Sequence, residues 1–217
     1  LSSSSAASDV YKRQDLFEII TFKDLFEITD SIKDKKLSLE FFKKILGGNI
    51  NSLDESLESP LTYASRYSSS FEKVKILLKY ENIDVNLRNA KLQTPLIVAS
   101  FYSSTSSSLE IVEALLKHEN INVNLKDKYD LTALMYALSY KFLEIVKALL
   151  NHKNINVNFQ NKNGETALIY VARCFKSNGS LEIIKELLKH KNIDVNLQDR
   201  YGNTPLCLLY TSPSPRD

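Results

Sequence analysis

The sequence predicts an all-α solenoid of stacked helix-turn-helix units joined by extended hairpin loops. Two observations carry this. Four near-copies of one segment recur: FEKVKILLKYENIDVNL from Phe71, LEIVEALLKHENINVNL from Leu109, LEIVKALLNHKNINVNF from Leu143 and LEIIKELLKHKNIDVNL from Leu181. Each leads through a loop to a Thr-Pro-Leu or Thr-Ala-Leu tripeptide starting at Thr94, Thr132, Thr166 and Thr204, with Ser59-Pro60-Leu61 as an earlier cognate. Self-similarity at such a period marks repeat architectures.

The repeated segment is an amphipathic helix. In LEIVKALLNH, Leu143, Val146 and Leu150 fall at i, i+3 and i+7, with Ile145 and Leu149 widening the stripe. Ser108, Ser180 and Ser38 precede Leu-Glu, an arrangement that predicts serine N-caps with an acid in the first turn. The tripeptide starts a second helix, with Thr as N-cap and, at Pro95 and Pro205, proline in the first helical position. Neither helix can bury its stripe alone, so neighbouring units must stack. The span from each segment's first residue to the tripeptide's second is always 24 residues. Length varies only between the tripeptide helix and the next segment, at SSTSSS (Ser103 to Ser108) and KSNGS (Lys176 to Ser180).

Both ends resemble translated transposase-type sequencing adapter. CLLYTS from Cys207 can be encoded TGT CTC TTA TAC ACA TCT, and the opposite strand, read from its second base, encodes DVYKR and permits Gln, matching Asp9 to Gln14. Expected boundaries are a tail over 1–14, N-terminal helices and a degenerate first repeat over 15–57, repeats over 58–206 (four full, a fifth truncated), and a tail over 207–217. Setting aside Lys12, Arg13, Arg216, Asp9 and Asp217 leaves 25 basic against 24 acidic residues.

The unit resembles the ankyrin repeat, with its period of about 33 residues and T-P-L-H-x-A signature. The resemblance rests on the tripeptides, on Ala99, Ala137 and Ala172, on paired leucines such as Leu115-Leu116, and on the Asp/Asn-Val-Asn loops at Asp84, Asn122, Asn156 and Asp194. It covers Leu37 to Leu206 and implies the ankyrin solenoid. Ile97, Met135 and Ile169 stand where the family has histidine, so apolar packing is expected there. The family glycine two places before the tripeptide survives as Gly164 and Gly202, but is Leu92 and Asp130 elsewhere, which predicts less regular tips.

Composition bounds the chemistry. Hydrophobic residues make up 43% and charged residues 25%, as in a folded protein. A net charge of +2 gives no basic field to draw nucleic acid, and no apolar run is long enough for a membrane span. Two cysteines, Cys174 and Cys207, make no disulfide framework. His118, His152 and His190 recur at the ends of successive helices. Stacked helices lie about 8–10 Å apart, whereas zinc ligands sit at about 2.0–2.1 Å, so the histidines are read as meeting free helix-end carbonyls. Cys174, beside Arg173, is read as structural rather than reactive, and the serine run from Ser103 as an unmodified insert. No catalytic, cofactor or metal site is expected.

The resemblance implies docking on the concave face made by hairpin tips and first helices. Mapped by motif, the tips offer Arg88, Lys91, Gln93, Lys126, Lys128, Tyr129, Lys162, Glu165, Arg200 and Tyr201, and the first helices offer Tyr102, Tyr136, Tyr140, Tyr170 and Arg173. Tyr and Arg are enriched at binding hot spots. The expectation is a non-catalytic, monomeric module binding another protein, with no nucleic acid, membrane or cofactor; the alternative is a regulatory or targeting segment of a larger enzyme. Because the unit starting near Gly202 stops after Leu206, its neighbour should fray.

Overall fold

A computed structural model of the chain describes residues 22–31, 50–55, 57–102, 106–173 and 180–211. Ten α-helices are present among these: α1 (Phe22–Ser31), α2 (Pro60–Ala64), α3 (Phe71–Leu77), α4 (Pro95–Phe101), α5 (Ser106–Leu116), α6 (Ala133–Ser139), α7 (Leu143–Leu150), α8 (Ala167–Arg173), α9 (Ser180–Leu188) and α10 (Pro205–Thr211). A 3-10 turn, Ser68–Ser70, leads into α3.

The tripeptides start helices as their chemistry dictates. Ser59 accepts the Thr62 amide, Thr94 that of Ile97, Thr132 that of Met135, Thr166 that of Ile169 and Thr204 that of Cys207, at 3.1–3.3 Å. Each bond satisfies an amide with no intrahelical partner. The second helices start differently from the serine-cap expectation. α5 begins two residues before Ser108, and Ser180 is already the first residue of α9. Ser38 and Cys174 lie outside the described residues, as do 1–21, 103–105 and 212–217.

Two columns of helices result. The tripeptide helices α2, α4, α6, α8 and α10 stack in order, and so do α3, α5, α7 and α9, with each pair packed within its unit. Val74, Val112 and Val146 occupy one register and are fully buried, as are Leu77, Leu115, Leu149 and Leu187 three residues on. Burying each such side chain stabilises by roughly 1.5–3 kcal/mol. In α7 the buried centre is Ile145, Val146 and Leu149, while Leu143 and Leu150 are half-buried. Ile97, Met135 and Ile169 are buried, so apolar packing does take the histidine's place. At the N-terminal side, α1 rests Phe26 against Tyr63, ring centroids 4.8 Å apart, and its Asp30 accepts from buried Lys73 at 2.6 Å.

The tips are regular, contrary to expectation. Leu57, Leu92, Asp130, Gly164 and Gly202 stand at one repeat position and all have φ between 55° and 80°. Each tip closes with the same bond, from the amide of Asp54, Asn89, Asp127, Asn161 or Asp199 to the carbonyl four residues on, at 3.0 Å. The side-chain oxygen of that first residue also accepts the amide four residues on, at 3.0 Å. The Asn/Asp thus fixes the turn, and the left-handed residue follows whether or not it is glycine. Lys141 is left-handed for another reason. It ends α6, with Phe142 N–H reaching the Ala137 carbonyl at 3.0 Å and Lys141 N–H that of Leu138 at 3.1 Å.

The histidines also differ from their reading. His118, His152 and His190 do not donate to free carbonyls; each accepts, through Nδ1, the amide two residues on, at 3.3 Å.

Candidate functional site

Asparagines of the Asp/Asn-Val-Asn loops span the joints. Asn86 donates to the Asn120 carbonyl at 2.8 Å and accepts the Asn122 amide at 2.9 Å. Asn124 does the same with Asn154 and Asn156, Asn158 with Asn192 and Asp194, and Asn51 with Asn82 and Asp84. A second ladder runs beside it. Arg88 donates to the Lys126 carbonyl at 3.1 Å, Lys126 to that of Gln160 at 3.2 Å, and Gln160 to that of Gln198 at 2.8 Å. Successive tips also join through backbone, Lys128 N–H to the Lys91 carbonyl at 3.1 Å and Arg200 N–H to that of Asn163 at 3.0 Å.

On this clasped frame the candidate residues divide by exposure into three groups. Lys91, Lys128, Tyr129, Lys162, Arg200 and Tyr201 are exposed at the tips, and Tyr102, Tyr140 and Arg173 are exposed on the tripeptide-helix side. Arg88 is exposed and Lys126 half-buried, and both spend hydrogen bonds on the next unit; Lys126 Nζ also lies 4.7 Å from the Phe159 ring. Tyr170 is half-buried. Gln93, Tyr136 and Glu165 are buried, a correction to their placement on a free surface. Tyr136 donates to Asp127 at 2.6 Å; burial, then that bond, pushes its phenol above the ordinary range, so it stays a donor. Glu165 sits under Arg173, which also reaches Asp199 at 3.1 Å. Burial raises the Asp199 carboxyl, but bonds from Asn203 and Tyr201 and the charge of Arg173 outweigh it and hold it below its ordinary range.

The sequence reading missed Arg66 and Tyr67. Arg66 pairs with Glu58 as Arg173 pairs with Glu165, and the signal was available: each arginine stands seven residues after its cap, Ser59 or Thr166. Arg66 lies 5.3 Å from the Tyr102 ring and 6.0 Å from that of Tyr63. From Tyr102 the ring contacts continue to Phe101 at 4.4 Å, to Tyr140 at 5.2 Å and on to Phe142 at 5.7 Å. Tyr67, whose ring lies 5.3 Å from that of Tyr63, joins Tyr102 and Tyr140 as the exposed members of this ladder.

Between α7 and α9, on the outer side, a groove is lined by Lys147, His152, Lys153, Lys189, His190 and Lys191, with Glu186 among them. Lys147 and Lys189 already pair with Glu144 and Glu186 at 2.8 and 2.7 Å. Among the described residues no group of three or more His, Cys, Asp or Glu is placed to hold a metal, and no helix is long and apolar enough to cross a membrane.

Paired helices stacked in two columns, with hairpin tips projecting from every joint, define a solenoid repeat protein. A family model described as ankyrin repeats, in three copies, matches residues 31–127, 93–161 and 154–210, and the chain belongs to the ankyrin repeat family. Among solved structures it is similar to the crystal structure of EF0377, an ankyrin repeat protein, at 24% identity and a TM-score of 0.71, covering 88% of this chain and 92% of that one; this likeness bears on the fold. No curated protein matches the chain. Ankyrin repeats are generally protein-protein interaction modules and typically non-catalytic.

Proposed function

We propose that the chain is a monomeric, non-catalytic module that binds another protein through the face built from its hairpin tips and tripeptide helices. The carrying observation is the ring ladder from Arg66 through Tyr102 and Phe101 to Tyr140, which keeps water-exposed aromatic surface fixed in place. Aromatic and arginine side chains already held by their neighbours lose little freedom on binding, so more of the contact energy appears as affinity. The clasped joints act in the same direction by keeping the units in register.

Peptides selected from a displayed random library test the reading. Each selected peptide is measured against Tyr102→Ala and Tyr140→Ala, and against Glu110→Lys and Lys185→Glu on the outer helices. The expected result is a loss of about ten-fold or more from the tyrosine variants and no change from the outer ones. The opposite pattern overturns the reading.

A further inference from the structure

The hairpin tips are unevenly charged. Lys91, Lys128, Lys162 and Arg200 stand exposed on four successive tips, and none takes part in an ion pair among the described residues. The carboxylates of these tips turn inward: Asp127 and Asp199 close their own turns, and Glu165 lies under Arg173. Asp130 is the one left at this edge, and it is half-buried. On the outer helices the charges neutralise each other locally, as Glu72 with Lys75, Glu144 with Lys147 and Glu186 with Lys189. A chain of net charge +2 therefore carries a concentrated positive edge. The first tip interrupts it with exposed Glu55, so the edge runs from the second tip to the fifth.

Two of these cations are also held. Lys128 Nζ sits 4.9 Å from the Tyr129 ring centroid and the Arg200 guanidinium 4.7 Å from that of Tyr201, the same pairing two units apart. Backbone bonds tie Lys128 to Lys91 and Arg200 to Asn163. Stacked helical elements advance by about 8–10 Å. A polyproline-II strand rises about 3.1 Å per residue with three residues per turn, so every third side chain returns to one side after about 9 Å. The two repeats match.

We propose that the tip edge binds an acidic, extended polypeptide segment carrying Asp or Glu at every third position, one acid per tip. This rests on the face-binding reading above and names its partner's chemistry. A nucleic acid strand would meet the same charges, but the low net charge and the recurrence of an exposed cation from tip to tip favour the peptide.

Fluorescence anisotropy with labelled dodecapeptides tests it, using intact chain. The probes are a Glu-Pro-Ala repeat, a composition-matched peptide with its glutamates contiguous, a Lys-Pro-Ala repeat, and an oligothymidylate of equal length. The triplet peptide should bind about five-fold or more tighter than the contiguous one, and a variant carrying Lys128→Glu, Lys162→Glu and Arg200→Glu should lose about ten-fold or more, with a smaller loss for the matching Gln variant. Equal binding of the two acidic peptides, indifference to charge reversal, or tighter binding of oligothymidylate overturns the proposal. If peptides selected on this face carry no acids, this inference fails while the face reading stands. If selected peptides depend only on the outer-helix variants, both fail.

Discussion

Asn124 clasps Asn156 across the joint between successive units: its Oδ1 accepts the Asn156 amide at 2.8 Å while its Nδ2 donates to the Asn154 carbonyl at 2.7 Å. One side chain thereby satisfies two backbone groups of a loop that has no strand to pair with. Asn124→Ala should lower stability by about 2 kcal/mol, since each bond contributes about 0.5–1.5 kcal/mol net. Urea unfolding measures it. An unchanged midpoint would mean that water replaces the clasp at no cost.

The shared left-handed position gives a graded prediction. A Cβ on Gly164 would come within 2.8 Å of the Arg200 amide nitrogen, whereas one on Gly202 would meet nothing within 4 Å. Gly202→Ala should therefore cost about 1–2 kcal/mol, from backbone strain alone, and Gly164→Ala distinctly more. Leu92→Gly and Lys141→Gly remove the same strain at φ 57° and should each stabilise by a few tenths to about 1 kcal/mol, the gain being reduced by glycine's freedom when unfolded. Thermal denaturation of the four variants ranks them.

Acidification should weaken the array through His152. Burial, and then the neighbouring Lys153, hold this imidazole below its ordinary value of 6.5. The unfolded chain therefore takes up the proton first, so the contribution is complete above that value and is lost as pH falls through the folded one. Protonation also removes the Nδ1 lone pair that receives the Asn154 amide. Urea midpoints should drop between about pH 7.5 and about pH 5.5. His152→Gln should flatten that drop, and an identical slope in the variant would assign it to other groups.

The last two helices should open most readily. Leu181 and Leu188 of α9 are about half exposed, and Leu206 of α10 is 72% exposed. The cognate Leu109 and Leu116 of α5 are half-buried between neighbours on both sides. Hydrogen exchange should be faster over 181–190 than over 109–118; equal protection would contradict this.

What the sequence reveals is what one unit dictates about itself. The caps at Thr94, Thr132 and Thr166 and the buried register of Val74, Val112 and Val146 follow from local chemistry and helical period, and both are found. Properties set by a neighbouring unit are harder to see. Asn86 and its cognates are visible as a motif, but their partners lie about 34 residues away in the next loop. Tyr136 reads as surface until Asp127 of its own tip is brought over it. Leu92 reads as an irregularity because propensity disfavours it there, yet Asn89 already dictates the turn.

The added residues after Tyr102 and after Arg173 fall, along the chain, between the two helices of a unit, whereas the stretch carrying clasp and hairpin keeps a constant length. Pitch and ornament are thus encoded separately. A foreign segment grafted after Tyr102 would alter the rim of one storey without disturbing the staircase that the asparagines bolt together.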